Sequence, residues 1–125
     1  MNVKKTKTEE DVDFEIRFLE GVLKESPDFE EALGILGHRY TQKGLYKEGL
    51  DIDKRLSVLK PFDPVVFYNL SCSLSLLKNI PEALKSLEQA ISLGYDDFNY
   101  LMNDRDLANL RNDEKFQAFM KNIKK

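Results

Sequence analysis

Val12, Ile16, Leu19, Val22 and Leu23 recur at intervals of three and four, joined by Phe18. This spacing puts one apolar stripe along a helix and predicts an amphipathic helix from Asp11 to near Ser26-Pro27. Asp28 is expected to open the next helix, whose buried stripe is Ala32, Leu33, Leu36, Gly37 and Tyr40. Lys43-Gly44 ends it, because glycine readily takes the left-handed backbone of a helix end. Tyr46 to about Lys60 reads as its partner, with Leu50, Leu56 and Leu59 inward and Pro61 as the stop. Asp63-Pro64 restarts the pattern: aspartate caps free amides, and proline at the first helical position loses no hydrogen bond. Phe67, Leu70, Ser71 and Leu74 form the next stripe, Lys78-Asn79 the turn, and Pro81 lies near the start of a helix carrying Ala83, Leu84, Leu87, Ala90 and Ile91 up to Gly94. No run alternates apolar and polar residues as a strand does, so the fold class is all-α.

A longer period overlies the short one. Pro27, Pro61 and Tyr95 stand 34 residues apart, and a shift of 34 lays Leu36 on Leu70, Gly37 on Ser71, Glu48 on Glu82, Gly49 on Ala83 and Leu50 on Leu84. Small residues meet small ones and large apolar residues meet large ones, which is the mark of stacked helix-turn-helix units. The expected organisation is a mobile N-terminus over 1–9, a half unit over 10–27, whole units over 28–61 and 62–95, and a tail over 96–125. Gly37, Gly49, Ser71, Ala83 and Ala90 are placed where the two helices of a hairpin approach closely.

These residues carry a resemblance. Leu33-x-x-Leu36-Gly37-x-x-Tyr40, Gly44-x-Tyr46, Glu48-Gly49-Leu50 and Pro61 resemble one tetratricopeptide repeat. Phe67-x-x-Leu70-Ser71-x-x-Leu74, Glu82-Ala83-Leu84, Leu87 and Ala90 resemble a second. Two positions depart from the pattern: Asp53 stands where an aromatic or large apolar residue is usual, and Tyr95 replaces the last proline. In the tail, Asp104-Arg105-Asp106-Leu107, Leu110-Arg111, Asp113 and Phe116 resemble the closing segment of many bacterial arrays of this family. The resemblance implies a right-handed α-solenoid of about two and a half repeats, closed by C-terminal helices that cover the apolar flank of the last unit.

Composition narrows the function. Nineteen basic and 22 acidic residues leave a formal charge of -3, so no broad positive field is available for nucleic acid. The apolar stretches fall far short of the roughly 20 residues needed to cross a bilayer, and the start of the chain has Lys4, Lys5 and Lys7 without an apolar run behind them. No membrane association, no secretory signal and a cytoplasmic location are therefore expected. The basic ends, with Lys121, Lys124 and Lys125 at the other terminus, read as solvated.

Chemistry-bearing residues are few, and the chain is expected to be no enzyme and to hold no cofactor. His38 and Cys72 are 34 apart and so occupy equivalent positions, which invites a thiol and base pair. Neighbouring helix axes about 8–10 Å apart argue against their direct hydrogen bond. Asp96, Asp97, Asp104, Asp106 and Asp113 lack the glycine and terminal glutamate of a calcium loop and read as helix starters.

Binding is the stronger expectation. The resemblance implies that the first helices of successive units line a concave face that takes a partner peptide or helix. On this chain the lining is Glu31, Ile35, His38 and Gln42, then Val65, Tyr68, Asn69, Cys72 and Leu76, with Gly34, Thr41 and Ser75 among them. Of the Lys, Arg and Asn with which chaperone cofactors of this family hold a terminal carboxylate, only Asn69 is present, so such a clamp is not expected. Tyr68 is the anchor expected of a rigid aromatic with a polar tip, unless the tail packs on it. The rival expectation is a structural or self-associating subunit, a homo-oligomer formed through the flank from Val12 to Leu23.

Overall fold

The computed structural model describes residues 8–123. Among them are eight α-helices and one 3-10 turn, with no strand. The helices are α1 (Glu9–Glu25), α2 (Glu30–Gln42), α3 (Tyr46–Leu59), α4 (Pro64–Leu76), α5 (Ile80–Ser92) and α6 (Phe98–Asn103). The 3-10 turn (Arg105–Leu107), α7 (Ala108–Arg111) and α8 (Glu114–Ile123) complete the chain. The first residues of the segment expected to be mobile lie outside the described residues. Thr8 caps α1 and Glu9 opens it, and Thr8 and Asp11 satisfy each other's backbone amides in a reciprocal cap.

Each of the first four helices packs on the next, and the 3-10 turn and α7 pack back onto α4. Three turns share one geometry. Gly44, Lys78 and Gly94 all have positive φ, at 76°, 63° and 114°. In each, the following amide returns to a carbonyl of the last helical turn: Leu45 to Tyr40, Asn79 to Leu74 and Tyr95 to Ala90. These are the paired bonds of a left-handed helix end. Asp63 caps α4 through the amide of Val65 at 2.9 Å, with Pro64 behind it. Asp28 does not act as the expected cap: α2 begins after Phe29 without a side-chain cap, and the Asp28 carboxylate instead pairs with Arg55 at 2.9 Å.

Glycines set the approach of α2 to α3. A Cβ on Gly37 would lie 3.1 Å from Ile52 Cγ2, and one on Gly49 3.2 Å from Thr41 Oγ1. In the next pair, Ala83 and Ala90 are fully buried and Ser71 Oγ donates to the Ala83 carbonyl at 2.7 Å.

α4 is the centre of the molecule. Val66, Tyr68 and every residue from Leu70 to Ser75 are buried, so the helix is covered on several sides at once. The tail supplies part of that cover. Leu101, Leu107, Leu110 and Phe116 are essentially inaccessible and share one cluster with Leu74, Leu87 and Met120. Burial of this kind stabilises by about 1.5–3 kcal/mol per large side chain. The aspartates punctuate the tail: Asp97, Asp104 and Asp113 each accept backbone amides at the start of the next turn. Asp53, at a position shared in the 34-residue register with Leu19 and Leu87, is buried and accepts the hydroxyl of Ser73.

Candidate functional site

The tail crosses the face of α4 on which a partner was expected, the alternative in which it packs on Tyr68. Tyr68, Cys72 and Ser75 lie on one side of α4 at helical spacing, and each meets the tail. Tyr68 donates its hydroxyl to Asp104 Oδ2 at 2.6 Å, and the Cys72 thiol points at the same oxygen at 3.7 Å. Ser75 Oγ accepts the Leu110 amide at 3.1 Å, while Asn109 donates to the Ser75 carbonyl at 2.9 Å. Arg111 fixes the tail's own path through the carbonyls of Leu101 and Asp104. Tyr68 is thus not an exposed anchor. It is 4% accessible and stacks on Tyr95 with ring centroids 4.3 Å apart and planes 9° from parallel.

What stays open is a cavity of about 320 Å³ between α2, α4 and the tail. His38 comes from α2; Val65, Tyr68, Asn69 and Cys72 from α4; Tyr95, Tyr100, Asp104 and Asp106 from the segment beyond α5. Five residues expected on the binding face are therefore brought together, and Tyr95 and three tail residues join them. An adjoining cavity of about 490 Å³ shares His38 and Asp106 and adds Gln42 and Arg105. Glu31 lines a separate hollow with Lys60, and Ile35 and Leu76 line none of these cavities.

The cavity is acidic and aromatic. Burial first, then the Asp104 charge, pushes the Asp106 carboxyl up, with Arg105 and His38 pulling it back. The Asp104 charge also raises the Tyr100 phenol, and burial followed by the Asp104 bond raises that of Tyr68. Burial, reinforced by Asp104 and Asp106, raises the Cys72 thiol well above its ordinary value. A thiol in that setting stays protonated and is a poor nucleophile. Among the described residues no three His, Cys, Asp or Glu side chains cluster as metal ligands would.

Tyr100, Asp104 and Asp106 were not foreseen at the site. The aspartates were visible as a motif, but only as helix starters; Asp104 does start a turn, whereas the Asp106 carboxylate caps no helix among the described residues and lines the cavity.

No family model matches the chain. It is similar to a chloroplastic protein of Arabidopsis thaliana, with 32% identity over 88 residues, or 68% of this chain and 26% of that protein. The chain thus spans about a quarter of the length of that relative. None of the described helices is long and apolar enough to cross a membrane.

Proposed function

We propose that this chain is a non-enzymatic interaction module, a short right-handed solenoid of tetratricopeptide type with a C-terminal cap, which binds an extended partner segment in the trough between α2 and α4. The observation that carries this reading is the open cavity where His38, Val65 and Asn69 converge from two helices one period apart, with Val65 53% exposed. The repeated left-handed turns at Gly44 and Lys78 and the glycine-mediated approach of α2 to α3 support the repeat assignment. The raised thiol of Cys72 speaks against nucleophilic catalysis. A cytoplasmic scaffold or adaptor is the setting that fits a charge of -3 and scarce catalytic chemistry.

The test uses residues that do not hold the fold together. A triple variant, His38→Ala, Val65→Asp and Asn69→Ala, should keep the helical circular dichroism and thermal transition of the wild type. It should lose the partners that the wild type retains from source-cell extract, as read by quantitative mass spectrometry. Identical partner profiles would end the assignment of this face.

A second reading has its own observation. Val12, Ile16 and Leu19 of α1 are buried, but Phe14 and Phe18, one turn apart, are 62% and 61% exposed. Self-association through this face makes the chain a structural subunit. Light scattering at high concentration decides it: a monomer rules it out, and a dimer abolished by Phe14→Ser with Phe18→Ser establishes it.

A further inference from the structure

The trough has a chemical preference that the family resemblance does not supply. One wall carries three tyrosines, Tyr68 of α4 with Tyr95 and Tyr100 from beyond α5: Tyr68 stacks on Tyr95, and Tyr100 lies 6.1 Å from Tyr68 at a 45° tilt, with 56% of its own surface exposed. Two carboxylates line the same cavity. Asp104 is engaged by Tyr68 and by the Asp106 amide. The Asp106 carboxylate, among the described residues, accepts no hydrogen bond and joins no ion pair. Arg105 and His38 lie near enough to be felt, but Arg105 is an exposed side chain in the adjoining cavity. A negative charge beside the exposed Tyr100 ring, in a space at the small end of the roughly 300–1,000 Å³ typical of ligand pockets, has room for one long side chain. It is complementary to a cation.

We propose that this cavity receives one arginine side chain of the extended partner segment, its guanidinium lying on Tyr100 and hydrogen-bonded to Asp106. Arginine fits better than lysine because its planar, weakly hydrated group stacks on an aromatic ring while its donors meet a carboxylate in the same plane. The charge-assisted bond to Asp106 supplies specificity, and the ring supplies contact area. The proposal rests on the reading of the trough as a peptide site and names the residue that the site selects.

The experiment selects short peptides from a random displayed library on the full chain, then measures the selected peptides by calorimetry. Enriched peptides are expected to carry an arginine. Its replacement by citrulline, which keeps the shape and removes the charge, should weaken binding about tenfold or more. Asp106→Asn and Tyr100→Ser should each reproduce much of that loss while the thermal transition stays in place. Peptides that bind without arginine but are lost on Val65→Asp overturn the cation preference and leave the trough as the binding face. A library yielding no peptide, or only peptides indifferent to Val65→Asp, overturns both.

Discussion

Asp53 on α3 accepts the hydroxyl of Ser73 on α4 inside the seam between the two helices, at the place where the 34-residue register puts Leu19 in one neighbour and Leu87 in the other. Burial pushes this carboxyl up to about 6, and the Ser73 bond pulls it back only in part. A raised carboxyl binds its proton more tightly in the folded than in the unfolded chain. Between about pH 4 and 6 the folded state therefore holds more protons, and stability falls as pH rises through this window, then levels off. Asp53→Leu should flatten the slope and raise stability at pH 7 by on the order of 2–3 kcal/mol. Asp53→Asn, which keeps an acceptor for Ser73, should recover part of the gain. Urea unfolding at pH 4 and pH 7 checks both; Asp106, shifted in the same direction, leaves a residual slope of the same sign. A wild-type slope left unchanged by either substitution would refute the account.

Tyr68 ties the tail to α4 through one hydroxyl. Tyr68→Phe keeps the ring stacked on Tyr95 but leaves Asp104 without its shortest partner. The expected cost is about 1.5–3 kcal/mol, the range for a hydrogen bond to a charged group. Chemical denaturation gives the number. Because the bond joins residues 36 apart, amide exchange in Leu107 to Leu110 should accelerate in step with the loss; exchange unchanged in that segment would mean that the tail docks without it.

Much of the helical layout was legible because its signals are local. Gly44 and Gly94 mark left-handed ends, Asp63-Pro64 marks a start, and the small residues at 37, 49, 71 and 83 mark close approach; each acts within one turn or across one hairpin. Phe18 looked like part of the α1 stripe yet faces solvent, since a stripe of three and four fixes a face only to within a neighbouring position. Asp28 looked like a cap, but the turn through Ser26 and Phe29 delays α2 by one residue and frees the carboxylate for Arg55. The site was harder to read. Its residues on α2 and α4 follow from the period, whereas the burial of Tyr68 depends on where the tail returns, a contact 36 residues away that no periodicity encodes. The serines at 71, 73 and 75, unusual in so apolar a helix, were the available clue: each bonds to a different neighbouring segment.

Lys78 holds φ at 63°, where Gly44 of the equivalent turn and Gly94 hold similar positive values without the strain of a side chain. Lys78→Gly should therefore stabilise the fold, by about 1 kcal/mol, since a left-handed non-glycine residue costs roughly 1–2 kcal/mol and glycine gives back part of that in unfolded-chain entropy. Gly44→Ala should do the reverse by a similar amount. A thermal melt of the two variants beside the wild type reads both signs, and a Lys78→Gly protein that melts lower contradicts the assignment.

Gly49 makes the opposite point, since there a side chain has no space. Thr41 Oγ1 would sit 3.2 Å and the Gly37 carbonyl 3.7 Å from a new Cβ. Thr41 is itself held by its bond to Gly37 O at 3.1 Å, so it cannot swing away freely. Gly49→Leu should force α2 and α3 apart at a cost of about 1–3 kcal/mol. Gly34, by contrast, faces no atom within 4 Å, and Gly34→Ala should stabilise α2 by up to about 1 kcal/mol. The pair, measured by urea denaturation, separates a packing requirement from a mere helix preference: if both alanine-sized and larger side chains are tolerated at 49 as at 34, the close approach of the two helices is not what the glycine is for.

Cys72 should be slow to alkylate. Its thiol is buried, faces Asp104, and is pushed up by burial and then by the charges of Asp104 and Asp106. The reacting species is the thiolate, so both its population and its access are reduced together. Iodoacetamide at pH 8 should react at least about tenfold more slowly than with an unfolded cysteine peptide, and the rate should recover in urea. Filling the trough with a selected peptide should slow the reaction further, because Cys72 lines the same cavity as His38 and Asn69. Rapid alkylation of the folded chain would mean that a thiolate is accessible there, and would reopen the thiol and base arrangement that the burial of Cys72 argues against.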